Sequence, residues 1–520
     1  MKVLVKTGNL VKTPTDLLVV NLFEGVRSPG GATGAVDKAL SGLLSDTIRD
    51  EQFKGKESQV LMLHTHGKVP AKRVLLVGLG KQQAFALETV RRAAGTSVRK
   101  AKEVAAQKVT SVLHGAGVGG LDPRPAAEAM TEGALLADYR FLRHKGEENQ
   151  KETERAIEEF IIVERDPAKA KKADAGIEEG TTDAEATIYA RDLVNEPPSH
   201  LTPTVLATEG RKLKGQSITI EVFGRDECAK LGMGAFLGVA KGSEEEPRFI
   251  HLSYRPPRPF DKTQGALSRA EVRKLGGKPK KIVLVGKGIT FDTGGVQLKE
   301  RKGMITMKMD MSGAAAVLGL FSALPKLRLP IEVHGIIAAT ENMPSGGAYK
   351  PGDVLRSMNG KTIEVIDTDA EGRLTLADAL AFATTLKPDA IIDFATLTGS
   401  VVAGLGDQVA GLLGNNQPLL EAVKKAAASA GEMVWPLPLV KEYGETIKSK
   451  VADLKNVGGR EGDVIKATLF LAEFVGKIPW AHLDIAGPAY AEKDFNVYTP
   501  EGGTGFGVRT MLHYLRSLAN

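Results

Sequence analysis

Apolar positions fall into short runs separated by longer stretches of helical spacing. In the first third of the chain, Leu17-Leu-Val-Val-Asn-Leu22, Gln59-Val-Leu-Met-Leu-His64, Arg73-Val-Leu-Leu-Val-Gly78 and Ile157 to Val163 read as strands. Helical stretches such as Leu87 to Val109 and Ala126 to Leu142 lie between them, so residues 1–168 make an α/β unit of their own. From Asp166 to Thr187 the composition shifts to Ala, Lys, Glu and Asp, with Gly176 and Gly180 interrupting, which predicts a linker and a helix ending near Val194. Pro197 and Pro198 stop that helix, because proline cannot continue one.

The second part repeats the alternation. Lys281-Ile-Val-Leu-Val285 is an apolar run of the kind a buried parallel strand shows, with Gly286, Gly288, Gly294 and Gly295 marking a loop after it. Ser312-Gly-Ala-Ala-Ala-Val-Leu-Gly-Leu-Phe321 predicts an Ala-rich helix. Thr362-Ile-Glu-Val-Ile-Asp367 alternates like a strand, and Arg373 to Ala383 repeats Leu and Ala at helical spacing. Residues 261–280 are strongly polar between apolar strands and predict an exposed insertion. Asn359-Gly-Lys-Thr362 predicts a hairpin turn.

A length of 520 residues suits two or more domains, and 42% hydrophobic with 25% charged residues is an ordinary globular balance. The net charge of +6 is mild; it permits nucleic-acid contact without requiring it. The single cysteine, Cys228, excludes an internal disulfide framework and is expected to be buried and apolar in role. MKVLVKTGNLVKT lacks the apolar core of a signal peptide, and no run approaches the roughly 18 apolar residues of a membrane helix, so a cytoplasmic protein is expected.

The chemistry concentrates in two segments. VGKGITFDTGGVQLKERKGMITMKMD, Val285 to Asp310, and Asp367-Thr-Asp-Ala-Glu-Gly-Arg373 together hold Lys287, Asp292, Lys299, Asp310, Asp369, Glu371 and Arg373. On the predicted elements, Lys287 and Asp292 leave the carboxyl end of a strand, Asp310 precedes a helix, and Asp369 and Glu371 occupy a strand-to-helix loop. Ligands of open α/β sheets bind at such strand ends. Singly, each residue has an ordinary structural role open to it, as cap, loop lysine or turn residue. Jointly, four carboxylates at neighbouring element ends would repel strongly unless cations neutralise them, which points to a divalent-metal site.

Other chemistries lack their residues. There is no HExxH, no GxSxG and no Walker loop, and Gly78-Leu-Gly80-Lys81 misses the third glycine of a dinucleotide turn. His334 and His482 lie in apolar runs and are expected to be core histidines. A metallophosphatase would usually bring histidine ligands. A non-catalytic assembly or nucleic-acid-binding protein on the same scaffold is the rival from another class.

VGKGITFDTGG, the following Lys299 and Asp310, and DTDAEGRL closely resemble the cytosolic leucyl aminopeptidases, whose signature octapeptide is normally NTDAEGRL. Ala190 to Pro203, Phe394 to Gly399, Val451 to Gly458 and Trp480 to Gly487 are similar to family segments in the same order, so the resemblance covers about residues 190 to 520 well and the first 170 loosely. It implies a smaller amino-terminal, macro-like α/β domain (1–168), a linker helix region (169–194) and a larger catalytic α/β domain (195–520) with a mixed central sheet flanked by helices. It further implies two divalent ions per subunit, Mn²⁺ or Zn²⁺, held by Lys287, Asp292, Asp310, Asp369 and Glu371. Lys299 and Arg373 would be catalytic, with bicarbonate at Arg373 and a metal-bridging water as nucleophile. Met307, Thr396, Gly399 and Ala486 would line a pocket favouring Leu and other apolar first residues of peptides with a free amino terminus. A homohexamer is implied as well. Asp367 departs from the signature's Asn; if the strand from Thr362 stays extended, its carboxylate shares a face with Asp369 and Glu371.

Overall fold

The computed structural model describes residues 1–146, 156–256 and 279–519. Nearly all of the polar insertion expected at 261–280 lies outside them. The chain divides into two compact units, Met1–Glu185 with Lys493–Pro500, and Ala186–Glu492 with Glu501–Asn520.

The first unit is a six-stranded sheet built from β1 (Lys2–Thr7), β2 (Thr15–Leu22), β3 (Val60–His64), β4 (Ala71–Gly78), β5 (Lys108–Val112) and β6 (Glu159–Glu164), in the order β1-β6-β5-β2-β4-β3. All neighbours are parallel except β3 with β4. Leu17 and Val19 of β2 face one core with α3 (Leu87–Glu103) and α4 (Pro123–Asp138). Leu18 and Val20 face the other, with α1 (Gly31–Ala39) and α2 (Leu43–Asp50). A strand buried on both faces has no polar alternation, which is why this one reads as a continuous apolar run.

Two expectations need correction in this unit, and one strand has no apolar run to mark it. The helix from Leu87 ends at Glu103, and Val109 belongs to β5, a strand the helical reading had absorbed. β1 has only three consecutive apolar residues, Val3, Leu4 and Val5, bracketed by Lys2 and Lys6 on a partly exposed edge strand, and so does not read as an apolar run. Gly176 and Gly180 do not interrupt anything: α5 runs unbroken over Pro167–Asn195. An added Cβ at Gly176 would stand 2.1 Å from the Arg124 carbonyl oxygen, and one at Gly180 2.5 Å from that of Glu128, so these glycines let α5 lie directly against α4.

The second unit carries a mixed eight-stranded sheet. Its strands are β7 (Ile218–Phe223), β8 (Arg248–Tyr254), β9 (Lys281–Asp292), β10 (Glu332–Asn342), β13 (Ala390–Ala395), β14 (Val409–Gly414), β15 (Met433–Pro436) and β17 (Trp480–Asp484), ordered β15-β14-β17-β13-β9-β10-β8-β7. A small sheet of β11 (Val354–Arg356), β12 (Thr362–Glu364) and β16 (Leu454–Lys455) lies apart from it. β11 and β12 pair antiparallel around Asn359 and Gly360, as the hairpin reading expects. The central strand β9 buries Ile282 and Leu284 in one core and Val283 and Val285 in the other. α6 (Ser312–Leu327) packs on the first face and α7 (Gly372–Thr385) on the second.

β9 is longer than its apolar run. It continues through Gly286 and Gly288 to Asp292, so Lys287 lies within the strand rather than beyond its end. The glycines are there for close approach: a Cβ at Gly286 would stand 2.5 Å from the Gly313 carbonyl oxygen. β9 and the start of α6 therefore touch backbone to backbone, which brings Asp310 beside Lys287.

Candidate metal centre

Each side chain of the cluster is delivered by an element end or a backbone near-contact. Lys287 projects from β9, and its Nζ stands 2.8 Å from Asp310 Oδ1 and 2.8 Å from Glu371 Oε1 while donating to the Thr396 carbonyl oxygen at 2.9 Å. Gly372 is required beside it, since a Cβ there would lie 2.5 Å from Lys287 Cε. Asp310 sits in a short 3₁₀ turn, Met307–Met311, that leads into α6, and its Oδ1 accepts from Thr396 Oγ1 at 2.7 Å. Asp292 ends β9; its Oδ1 accepts from Gly294 N at 2.9 Å and from Asn342 Nδ2 at 2.8 Å. Lys299 Nζ pairs with Asp292 Oδ2 at 2.8 Å and with Asp369 Oδ1. Oxygens of Asp292, Asp369 and Glu371 lie within 4.8 Å of one another.

The electrostatics are unbalanced by protein groups alone. Four carboxylates face two ammonium groups. Asp310 Oδ2 and both oxygens of Glu371 are buried with no hydrogen-bond partner among the described residues; the Lys287–Glu371 approach is a charge contact without hydrogen-bond geometry. Burial pushes the Asp310 carboxyl well above its usual range, and burial, then the neighbouring Asp292, raises Asp369 to about 7. Burial by itself would lower the Lys287 ammonium, but Asp310, Glu371 and Asp292 more than offset it and hold the group above the ordinary lysine range. Buried oxygens without donors, in excess over cations, fit divalent ions.

Arg373 lies next to this cluster, at the start of α7. Its Nη1 donates to the Asn456 carbonyl oxygen at 2.7 Å and its Nη2 reaches Asp463 Oδ1 at 3.2 Å. Nε is buried without a partner among the described residues.

Of the expected pocket residues, Thr396 is buried at the metal cluster, whereas Gly399 is exposed at the start of a short helix, Gly399–Leu405. Asp484 ties this segment to Ala486, accepting from Leu397 N at 3.1 Å, Thr398 Oγ1 at 2.7 Å and Ala486 N at 3.2 Å. Met307 is half-buried in the turn that carries Asp310. His334 and His482 are both buried, and His482 Nδ1 pairs with Asp393 Oδ1 at 2.6 Å. Cys228 is buried, with its thiol pushed up to about 12 by burial.

The expected strand over Thr362–Asp367 ends at Glu364. Asp367 instead closes a tight turn, its Oδ1 accepting from Asp369 N at 2.9 Å, so the three acidic residues do not alternate on one extended face. Sequence reasoning also passed over Asn342, which donates to Asp292 and to the Thr368 carbonyl oxygen at 3.0 Å. Its signal was available: a polar residue closing the long apolar run of β10, parallel to the strand that carries Asp292.

An α/β scaffold with a buried, cation-deficient carboxylate cluster at strand and helix ends defines a metal-dependent hydrolase class of site. The description of the cytosol aminopeptidase family catalytic domain matches residues 188–512, and that of the family's N-terminal domain matches residues 19–148. A probable cytosol aminopeptidase of Geobacter sp. is 44% identical over 99% of this chain and 100% of its own length. One from Gloeobacter violaceus is 42% identical over 96% of each chain. Among solved structures, a mutant of tomato leucine aminopeptidase superposes with a TM-score of 0.86 at 34% identity, covering 100% of this chain and 97% of the other. The bottromycin maturation enzyme BotP in complex with Mn gives a TM-score of 0.82 at 35% identity, covering 97% and 100%. The chain belongs to the cytosol aminopeptidase family and is a metal-dependent aminopeptidase, a peptide hydrolase. No helix among the described residues is long and apolar enough to cross a membrane.

Proposed function

We propose that this aminopeptidase releases Leu and other apolar residues from the amino termini of peptides, using two divalent ions, Mn²⁺ or Zn²⁺, per subunit. The observation that carries the two-ion reading is the pair of buried, donor-free Glu371 oxygens beside Asp292 and Asp310, with only two ammonium groups set against four carboxylates. Asp292, Glu371 and Asp369 would hold one ion, and Asp292, Glu371, Lys287 and Asp310 the other. When bound, the ions would supply Lewis acidity and activate water as the nucleophile.

The chain's own residues do the rest. Lys287 would serve as a neutral amine, and the positive charge of two ions reverses the carboxylate field that otherwise keeps it protonated. Lys299, a compact ammonium at the open side of the cluster, stabilises the oxyanion that develops on the scissile carbonyl. Arg373, whose guanidinium does not itself deprotonate, would hold a small anion, bicarbonate, through its unpartnered Nε, and that group would supply proton-transfer chemistry when bound. Met307, Thr396, Gly399 and Ala486 line the first-residue pocket; their small or apolar character suits Leu. We take the working protein to be a homohexamer of two domains divided near residues 168 and 195, and to be cytoplasmic, the last in keeping with the names of its relatives.

Exhaustive chelation abolishes hydrolysis of leucine p-nitroanilide on this reading, and Mn²⁺ or Zn²⁺ restores it with two ions bound per chain. A chelator-resistant enzyme, or one restored by a single ion, overturns it. N-acetyl-leucine substrates are expected not to turn over.

A further inference from the structure

The first unit contains a cavity of about 330 Å³ lined by none of the residues of the metal cluster. It opens at the carboxyl ends of β1, β5 and β6 and at the start of α1, the helix that follows β2, between the segments Gly8–Val11, Gly31–Ala35, Val112–Gly117 and Val163–Lys169. β2 and β5 are adjacent, but the chain leaves β2 toward β4 and leaves β5 toward β6. The cavity thus sits at the point where the connections of a parallel sheet part to opposite sides, the place where such sheets bind ligands.

Two of its glycines are explained neither by packing nor by backbone conformation. A Cβ added at Gly8 or Gly117 would meet nothing within 4 Å, and neither residue has a positive φ. Their bare backbones therefore face open space that a side chain would fill, and leaving them bare keeps backbone groups accessible to an occupant. The floor is apolar, with Leu10, Val112, Leu113 and Val163, and Ala32 and Ala35 keep one wall low. The floor itself carries no polar side chain, so polar groups of an occupant would be met there by backbone. The rim is cationic. Arg165 is exposed and its guanidinium has no partner among the described residues, while Lys169 spends one donor on the Ala116 carbonyl oxygen at 3.0 Å. The one acid at the rim, Glu164, is turned to its own backbone, accepting from Arg165 N at 2.7 Å and Asp166 N at 3.0 Å. The nearby glycine turn Gly78-Leu-Gly80 takes no part, since Gly80 packs on Glu57.

We propose that this cavity is a binding site for a mononucleotide, its base in the apolar slot and its phosphate at the rim between Arg165 and Lys169. The volume lies at the lower end of the roughly 300–1,000 Å³ of small-molecule sites, enough for one nucleotide and too small to enclose a dinucleotide.

Calorimetric titration of the full, metal-loaded chain with AMP, adenosine and inorganic phosphate tests this. AMP is expected to bind with one-to-one stoichiometry and more tightly than either fragment. Gly117→Leu and Gly8→Val, which fill the slot, should each weaken AMP by about tenfold or more, and Arg165→Ala with Lys169→Ala should weaken AMP by a similar factor while leaving adenosine unchanged. Leucine p-nitroanilide hydrolysis should be unchanged in all of these variants, and an unaltered circular dichroism spectrum and thermal transition should report that they fold. No AMP binding at millimolar concentration overturns the proposal. So does AMP binding undiminished in both slot-filling variants, which places the ligand elsewhere, or phosphate binding as tightly as AMP.

Discussion

Lys287 Nζ and Glu371 Oε1 stand 2.8 Å apart, both side chains buried, in a contact that joins the middle of β9 to the loop opening α7. The same ammonium reaches Asp310 on the turn before α6. One cation thus pins three chain segments, and its loss leaves buried carboxylates facing each other.

Lys287→Met is accordingly expected to destabilise the chelated protein by about 3–5 kcal/mol, the cost of stripping one partner from a buried ion pair. Denaturant unfolding at pH 8 measures it. The loss should shrink at lower pH, because Asp310, already raised by burial, takes up a proton and relieves the repulsion. A variant as stable as the parent at pH 8 would show that the contact carries no structural weight.

Asn342 holds Asp292 by a buried 2.8 Å hydrogen bond, orienting the carboxylate toward the centre of the cluster. Removing such an orienting partner typically costs about 10–100-fold in metal affinity or activity. Asn342→Leu should therefore raise the metal concentration needed for half-maximal activity within that range while the variant remains folded by circular dichroism.

Arg373→Ala should lower kcat by about 10²–10⁴-fold if the guanidinium holds the proton-shuttling anion. Two ions should still be found per chain by elemental analysis, since Arg373 donates to Asn456 and Asp463 and to none of the carboxylates of the cluster. Stoichiometric metal loss in the variant would assign Arg373 to holding the metal site together instead.

Asp378, outside the metal cluster, accepts from Phe236 N at 2.8 Å and Met358 N at 2.7 Å, yet burial raises its carboxyl to about 7. A folded-state value above the unfolded one for an acid means that the native protein binds the extra proton. Stability from this group is therefore greatest at low pH and falls as pH rises from about 4 to 7. Unfolding of the metal-loaded protein across that window should show the slope, and Asp378→Asn should flatten it.

The family's chemistry was legible in the sequence because its groups lie in two compact segments whose residue types match one purpose. Strands buried on both faces, such as β2 and β4, were legible as apolar runs. What escaped were features set by contacts distant in sequence. Gly286, Gly176 and Gly180 look like loop or break signals, and only the approach of Gly313, Arg124 and Glu128 shows them to be packing positions inside regular elements. β1 escaped because an edge strand with one partner tolerates lysines at both ends of a short apolar run. The nucleotide cavity has no motif at all, since its glycines come from separate loops.

Asp367 is the one departure from the family signature, and its surroundings decide what it does. Had the strand from Thr362 continued, the extra carboxylate would have joined the metal ligands. The strand stops at Glu364, where Asn456 takes over, accepting from Ile366 N at 2.8 Å and donating to the Asp367 carbonyl oxygen at 2.5 Å. Asp367 then turns back and accepts from Asp369 N, a bond that the amide oxygen of asparagine makes equally well. Asp367→Asn is therefore expected to leave kcat, metal affinity and the acidic limb of the pH–rate profile within about twofold of the parent. Asp367→Ala removes the acceptor and frees Asp369, which should weaken metal binding by roughly the value of one hydrogen bond, about 1 kcal/mol or fivefold. If Asp367→Asn instead loosens the metal and shifts the acidic limb downward, the carboxylate acts through its charge, and the turn is incidental to it.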